Sequence, residues 1–194
     1  MATPGPAPDR VLLGIDPGTQ HTGYGILQIQ GKHVALLAIG VVHLNKPGWD
    51  HPQKLHQLYT SVQRLLDAYK PDEMAIEAPF YAKNVQSMLK LGRAQGVVMA
   101  VALARDVPIT EYAPKRIKQS VTGNGNASKH QVAEMLKQLV PELRNHTDLL
   151  PDATDALAVA YTHYQTSAPA GTQQVGGSYR SWADFLAHNP DRVG

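Results

Sequence analysis

The order of strand-like and helical patterns constrains the fold of this chain more than any other feature of its sequence. Three apolar, strand-like stretches come first and follow one another closely, at residues 11–15, 24–29 and 34–44. The pair Gly31-Lys32 separates the second stretch from the third and predicts a hairpin. The first stretch stops at Asp16-Pro17-Gly18, a sequence typical of a turn. The chain therefore opens with three consecutive strands, which we expect to be antiparallel.

Helical and strand-like patterns alternate after this opening. Apolar residues recur at helical spacing from Leu55 to Leu66, and a short apolar strand then runs into Glu77. Ser128 and Gln131 form a capping box that predicts the start of a later helix. The remaining predicted elements are a helix over 84–105, a strand over 107–112, and helices over 115–121 and 152–164. This order predicts an α/β fold with a mixed five-stranded sheet, in which helices flank an antiparallel meander and parallel crossovers.

Length and composition favour a single domain with short extensions. The chain has 194 residues and contains no cysteine, which excludes disulfides, thiolate nucleophiles and cysteine-bound zinc. We predict a flexible leader over 1–9, a folded domain over 10–164 and a largely disordered tail over 165–194, with a short helix over 181–188. The longest apolar run, 97–104, is far shorter than the roughly 20 residues of a membrane helix. We expect a cytoplasmic protein without membrane attachment.

Charge is distributed unevenly along the chain. The formal net charge is only +2, but residues 81–118 contain seven basic and two acidic residues. Such a local concentration of positive charge indicates an anionic partner at one surface. The nine histidines show no spacing typical of a metal site.

Four carboxylates occupy positions from which they can converge. Asp16 and Glu77 each close an apolar strand, and Asp152 and Asp155 are spaced to share one helix face. Clustered carboxylates require a counter-ion, and hard oxygen ligands select Mg²⁺ or Mn²⁺. Four of them can hold two ions about 4 Å apart, an arrangement that supports phosphodiester hydrolysis.

Each acid also has an ordinary structural explanation. Asp16-Pro17-Gly18 is a common turn, and Glu77 could simply pair with Lys83. Asp152 follows Pro151 as a typical helix-start residue, and Asp155 would favour the helix dipole. The catalytic interpretation depends on the four acids occurring together.

Several blocks of sequence, in order over residues 11–164, resemble the RuvC family of Holliday junction resolvases. The blocks are Gly14-Ile15-Asp16-Pro17-Gly18 with Thr22-Gly23-Tyr24-Gly25, Ala75-Ile76-Glu77-Ala78-Pro79-Phe80 with Ala82-Lys83-Asn84, Leu89-Lys90-Leu91-Gly92 with Gly96-Val97, Lys118-Gln119-Ser120-Val121 leading to Gly123, Gly125 and Lys129, and Asp152-Ala153-Thr154-Asp155-Ala156-Leu157-Ala158. The leader and the tail lie outside the resemblance.

The resemblance implies an RNase H-like fold and a homodimer that nicks two opposed strands of a four-way DNA junction. It implies 5′-phosphate and 3′-hydroxyl products, and catalysis by Asp16, Glu77, Asp152 and Asp155 with two Mg²⁺ ions, Mn²⁺ being the alternative. Family members can carry histidine at the position of Asp152, so this chain has the all-carboxylate version. Branch-migration proteins of the RuvA and RuvB type are partners by resemblance.

The resemblance also implies roles in DNA contact and dimer formation. Lys118 matches a lysine near the active site that stabilises phosphate charge, and Phe80 would stack on an unpaired base. The other candidate DNA contacts are Tyr81, Lys83, Asn84, Arg93, Lys115, Arg116 and Lys129. The candidate dimer residues are Leu89, Gly92 and Gly96, since two equivalent cuts call for two sites related by a two-fold axis.

Plainer explanations exist for these residues as well. Taken alone, Phe80 is more typical of a core aromatic, and Lys90 and Arg105 are more typical of a solvated helix face. The glycine-rich residues 123–126 lead to Lys129 and could either receive a phosphate or only begin a helix.

Two other functions remain open from the sequence. An actin-type or sugar-kinase ATPase shares a glycine-rich opening near an aspartate, but this chain is short for two such lobes and has no second Asp-Gly-Gly loop. ATP turnover would support that alternative. A non-catalytic junction-binding module is the other, and binding without cleavage in any divalent metal would support it.

Overall fold

The computed structural model describes residues 9–79, 84–146 and 150–167. It contains one five-stranded sheet in the order β3-β2-β1-β4-β5. The strands are β1 (Arg10–Asp16), β2 (His21–Gln30), β3 (His33–His43), β4 (Glu73–Glu77) and β5 (Ile109–Tyr112). Strands β1 to β3 form the predicted antiparallel meander, while β4 is parallel to β1 and β5 is parallel to β4. The mixed five-stranded sheet and the hairpin at Gly31, whose φ is 61°, are confirmed.

Five α-helices accompany the sheet within the described residues. They are α1 (His51–Tyr69), α2 (Val85–Leu103), α3 (Pro114–Thr122), α4 (Lys129–Leu139) and α5 (Pro151–Thr166). The predicted capping box at Ser128 and Gln131 is confirmed. Several bounds differ from prediction: a 3₁₀ helix, Pro141–Asn145, follows α4, α5 continues past the expected boundary at residue 164, β2 begins earlier than expected and β5 begins later. The predicted leader up to residue 8, the tail from residue 168 and the short helix over 181–188 lie outside the described residues.

The helices cover both faces of the sheet, and each face has its own apolar core. Helices α3, α4 and α5 pack on one face, where the core includes Leu12, Leu136 and Leu157. Helices α1 and α2 pack on the other, where the core includes Leu58 and Val98. Because the parallel strands β1 and β4 both end at one edge of the sheet, residues that follow their buried segments are presented side by side there.

Helix α5 lies directly against the backbone of β1 and β2. A Cβ atom placed on Gly14 would overlap the carbonyl oxygen of Ala156, and one on Gly23 would overlap that of Asp152. Glycine is therefore needed at both positions for close approach of helix to strand. This contact brings the first turns of α5 against the end of β1, where Asp16 lies.

A polar network lies at the opposite edge of the sheet, where β1 and β4 begin. Arg10 donates to Glu73 at 2.8 Å, and the His163 Nε2 atom lies 2.9 Å from the other oxygen of Glu73. Burial lowers the pKa of His163, against the opposing effect of Glu73, and its Nδ1 atom lies 2.8 Å from the Tyr112 hydroxyl. The network ties the beginnings of β1 and β4 to the last turns of α5.

None of the described helices is long and apolar enough to cross a membrane.

Candidate active site

Two carboxylates lie side by side at the edge where β1 and β4 end. Asp16 is the last residue of β1 and Glu77 the last residue of β4, and the preceding residues Ile15 and Ile76 are paired in register. Burial, together with the nearby charges of Glu77 and Asp155, raises the pKa of Asp16 to about 8. Burial and Asp155 also raise the pKa of Glu77. Burial is thus the main cause that disfavours the charged form of both carboxylates, and the neighbouring acids act in the same direction.

Helix α5 contributes two further acids in its first turns. Asp155 lines the same cavity as Asp16 and Glu77. Asp152 raises the pKa of Asp16 through its charge, but it points toward the other side of the site, with its Oδ2 atom 3.7 Å from Nδ1 of His21. The structure thus places Asp16, Glu77 and Asp155 at one cavity and Asp152 at its rim, beside a histidine.

His21 is a neighbour that the sequence did not single out. It begins β2, and its ring lies edge-on to that of His43 with the ring centroids 5.3 Å apart. Both histidines fall at the ends of strands and at no recognisable ligand spacing. Only the pairing of β2 with β3 brings them together beside Asp152.

Two lysines supply positive charge to the acids. The Nζ atom of Lys129 lies 2.5 Å from Oδ2 of Asp155, and this hydrogen bond is the main cause that raises the pKa of the lysine. Lys129 and Lys118 both lower the pKa of Glu77. Sequence reasoning placed Lys129 beside a phosphate and did not anticipate its contact with Asp155, because nothing local links α4 to α5.

The acids and lysines share one cavity of about 500 Å³. Pro114, Ile117, Val132 and Ala158 form much of its apolar wall. Its polar lining comprises Asp16, Glu77, Lys115, Lys118, Gly125, Asn126, Lys129 and Asp155. Negative and positive groups thus face each other across a space that can take a phosphodiester.

The donor chemistry of this site suits a hard divalent cation, since Asp16, Glu77 and Asp155 bring carboxylate oxygens to one cavity. In the part of the chain that the structure describes, no group of three or more histidine and acidic side chains is arranged so that it could hold a metal ion. Lys129 is the cation in contact with Asp155.

The loop between α3 and α4 is fixed by side-chain hydrogen bonds. Gly123 ends α3 with a φ of 75°, and the Gln119 side chain accepts from the backbone of Gly125 at 2.9 Å and donates to the Gly123 carbonyl at 2.6 Å. Gly125 and Asn126 then line the cavity. The glycine-rich segment is therefore held at the site by α3.

The other candidate DNA contacts lie at varied distances from the cavity. Lys115 lines it, whereas Arg116 is exposed on α3 and Arg93 is exposed on α2. Asn84 caps α2 by accepting from the backbone of Ser87 at 3.2 Å. Three of the predicted contacts lie outside the described residues: Phe80, Tyr81 and Lys83.

The candidate dimer residues form part of an exposed face of α2. The side chain of Leu89 is 51% exposed, and a Cβ atom on Gly92 or Gly96 would meet no other atom within 4 Å. The backbone of α2 is therefore open to close approach along this face.

Comparison with known proteins gives a consistent result. The family profile described as crossover junction endodeoxyribonuclease RuvC matches residues 12–163. A protein of that name from Bacteroides fragilis is 50% identical over 188 residues, which cover 97% of this chain and 98% of the relative. Another, from Porphyromonas gingivalis, is 52% identical over 194 residues, covering 95% of this chain and 97% of the relative.

Solved structures agree with the sequence comparison. The RuvC of T. thermophilus, in complex with Holliday junction substrate, superposes with a TM-score of 0.73 at 30% identity, covering 80% of this chain and 93% of that one. The yeast mitochondrial resolvase Ydc2 superposes with a TM-score of 0.61 at 18% identity, covering 82% and 79%, which bears on the fold alone. The expected RNase H-like fold is confirmed. With its family profile, its close relatives and its fold in agreement, this chain belongs to the RuvC family of crossover junction endodeoxyribonucleases.

Proposed function

We propose that this protein is a structure-selective endonuclease that resolves four-way DNA junctions by paired, symmetric nicking in recombination and repair. The observation that carries the proposal is the cavity at which Asp16, Glu77 and Asp155 face Lys118 and Lys129, in a chain of the RuvC family. Hydrolysis would leave 5′-phosphate and 3′-hydroxyl ends. Residues 10–164 would carry this activity, in the cytoplasm.

The acids are proposed to hold two Mg²⁺ ions per site, with Mn²⁺ as an alternative. Asp16, Glu77 and Asp155 would supply ligands from inside the cavity, and Asp152 would supply them from the rim. The bound ions would polarise the phosphodiester, activate a water molecule and stabilise the leaving oxygen. The high pKa of Asp16 supports this assignment, because a bound cation would offset both the burial and the repulsion from neighbouring acids that raise it.

The basic residues have distinct proposed tasks. Lys118 lies within electrostatic reach of Glu77 and would stabilise negative charge on the scissile phosphate. Lys115, Arg116 and Lys129 would hold the flanking backbone, with Arg93 contacting DNA from the opposite layer. Phe80 and Tyr81 would stack on unpaired bases near the cut, and Lys83 and Asn84 would contact the backbone beside them.

A homodimer would form through the exposed face of α2. Its apolar and small residues recur three or four positions apart: Val85, Leu89, Gly92, Gly96, Ala100 and Leu103. This period places them on one stripe of the helix, and the stripe would be buried against its copy. A two-fold axis there gives two equivalent active sites for two opposed strands. Branch-migration proteins of the RuvA and RuvB type would deliver the junction.

Cleavage of a mobile four-way junction tests the proposal. We expect Mg²⁺-dependent nicking of the junction in preference to linear duplex, and a loss of at least about a thousandfold in Asp16→Asn and Glu77→Gln with junction binding retained. Glu134→Gln, an exposed acid on α4, is the matched control and should cleave normally. Equal nicking by the substituted proteins would contradict the assignment of the acids.

The non-catalytic alternative is judged by the same assay. It is favoured by one observation, that Lys129 supplies a positive charge to Asp155 by direct contact. Tight junction binding without nicking in Mg²⁺ or Mn²⁺ by the wild-type protein would establish it in place of the nuclease.

A further inference from the structure

A second concentration of positive charge lies on the sheet face opposite the cavity. It consists of residues from the N-terminal halves of α1 and α2, which we call the α1–α2 basic cluster: His51, Lys54, Lys90 and Arg93. Lys90 and Arg93 are exposed, and Lys54 is half-buried. Arg93 and Lys90 belong to the basic segment of the sequence, whereas Lys54 lies outside it.

The three basic side chains of this cluster all lie close enough to His51 to affect its pKa. Burial lowers the pKa of His51, and the charges of Arg93, Lys90 and Lys54 lower it further, in that order. Asp50, which caps α1, is the one nearby group that acts in the other direction. Since Lys90 and Arg93 come from one helix and His51 and Lys54 from the other, the packing of α1 against α2 assembles the cluster.

Asp50 offsets part of the positive charge of this cluster, and no ion pair within the described protein neutralises its two lysines and its arginine. Residues 51–66 and 84–103 contain no aspartate or glutamate. Among the described residues, the ion pairs include none to Lys54, Lys90 or Arg93, and the buried Nε2 atom of His51 has no hydrogen-bond partner. By contrast, Arg105 at the other end of this layer is paired with Asp67 at 2.9 Å. An uncompensated cluster of this kind attracts anions.

The cluster is placed where a branched substrate would pass. Helices α1 and α2 both begin at the edge of the sheet that carries Asp16 and Glu77, so their positive helix ends and the cluster lie toward that edge. The cavity lysines come from α3 and α4 on the other face. Arg93 directly follows Gly92, so the cluster also borders the proposed dimer face. A straight duplex seated at the cavity would leave this second face uncontacted.

We propose that the α1–α2 basic cluster binds the phosphate backbone of a duplex arm of the junction while the strand to be cut lies in the cavity. Lys54 and Lys90 contact the arm, and the two copies of the cluster flank the seam of the dimer. This inference rests on the proposed function, and it explains selectivity: only a branched DNA engages both faces of the sheet at once.

Junction binding at several salt concentrations, measured in chelator so that no cleavage occurs, tests this inference. The variant is Lys54→Gln/Lys90→Gln, and its control is Lys32→Gln/Lys70→Gln, which removes two lysines at the opposite edge of the sheet. Each phosphate contact contributes about 0.9 to the slope of log Kd against log salt. Because the dimer carries two copies of the cluster, the variant loses four lysine contacts, and we expect its slope to fall by about 4 and its junction Kd to rise at least tenfold at low salt. The control should match the wild type.

Hydroxyl-radical footprinting of the same complexes locates the lost contact. The variant should lose protection along a duplex arm and retain protection around the cleavage point. An unchanged slope and footprint, or a loss of protection at the cleavage point instead of the arm, would overturn the inference. Failure of the proposed function is distinguishable, because the wild-type protein itself would then fail to cleave the junction in Mg²⁺ or Mn²⁺, whereas failure of this inference leaves wild-type cleavage intact.

Discussion

The first and last residues of strand β4 are both glutamates, and their electrostatic environments are opposite. Glu73, at the start of the strand, is held by Arg10 at 2.8 Å and by His163 at 2.9 Å. Glu77, at the end of the same five-residue strand, is half-buried, and burial and the charge of Asp155 raise its pKa against the opposing charges of Lys129 and Lys118. Glu73 is in direct contact with its positive partners, whereas the net effect of its surroundings disfavours the charged form of Glu77.

This difference separates a structural acid from a functional one. A paired carboxylate strengthens the fold, whereas a group of acids held together in a buried place destabilises it and is retained where chemistry needs a cation. Two identical residue types four positions apart are thus expected to respond in opposite ways to the same substitution.

Glu73→Gln is expected to remove the ion pair at the start of β4 and to destabilise the protein. It leaves the buried Arg10 guanidinium without its carboxylate, which should lower the free energy of unfolding by about 3 kcal/mol. Urea denaturation at pH 7 measures this loss, with Glu77→Gln as the matched substitution at the other end of β4. The comparison fails if Glu77→Gln destabilises the protein as much as Glu73→Gln does.

Asp16→Asn is expected to raise the free energy of unfolding at alkaline pH while abolishing cleavage. Because the folded-state pKa of Asp16 is about 8 and its ordinary value is 3.8, the folded protein retains a proton that the unfolded chain has lost between these values. Stability therefore falls as pH rises through this window, and the neutral asparagine avoids the loss. We expect a gain on the order of 2 kcal/mol at pH 8 in chelator, shrinking toward pH 4. A gain that is the same at pH 4 and pH 8 would contradict this origin.

Tyr112→Phe should have the smallest effect on stability of the three variants. It measures how much the tyrosine hydroxyl contributes to the network around Glu73. It removes the hydroxyl that lies 2.8 Å from Nδ1 of His163 and should cost about 1 kcal/mol of unfolding free energy. Tyr164→Phe, which loses only a 3.5 Å contact to the Lys32 carbonyl, is the control and should change stability by less than about 0.5 kcal/mol. Equal losses in the two variants would show that the network adds nothing beyond an exposed hydroxyl.

Local sequence patterns predicted most of the fold. The apolar runs, the Gly31-Lys32 hairpin and the capping box at Ser128 each have a signal within a few residues, and the structure contains all three. Strand β2 begins at His21, earlier than expected, because Gly23 and Gly25 weaken the strand pattern. These glycines are required by α5, a constraint between distant segments that no local pattern contains.

The site was predictable in its residue types and less so in its contacts. Strand ends and helix spacing are enough to predict the four acids. No local pattern indicates that Asp152 faces His21 or that Lys129 contacts Asp155, because both contacts join elements far apart in the chain. The α1–α2 basic cluster was missed for the same reason, since Lys54 and Lys90 become neighbours only when the helices pack.

The seating of α5 on Gly14 and Gly23 has a consequence for how this protein tolerates change. Main chain rests on main chain there, so the placement of Asp155 relative to Asp16 depends little on which side-chain rotamers fill the interior. Leucines and valines elsewhere in the interior are free to vary over generations, at a cost in stability alone. The two glycines cannot vary in this way, because any larger residue would push α5 away from the sheet and displace the acids of α5 from Asp16.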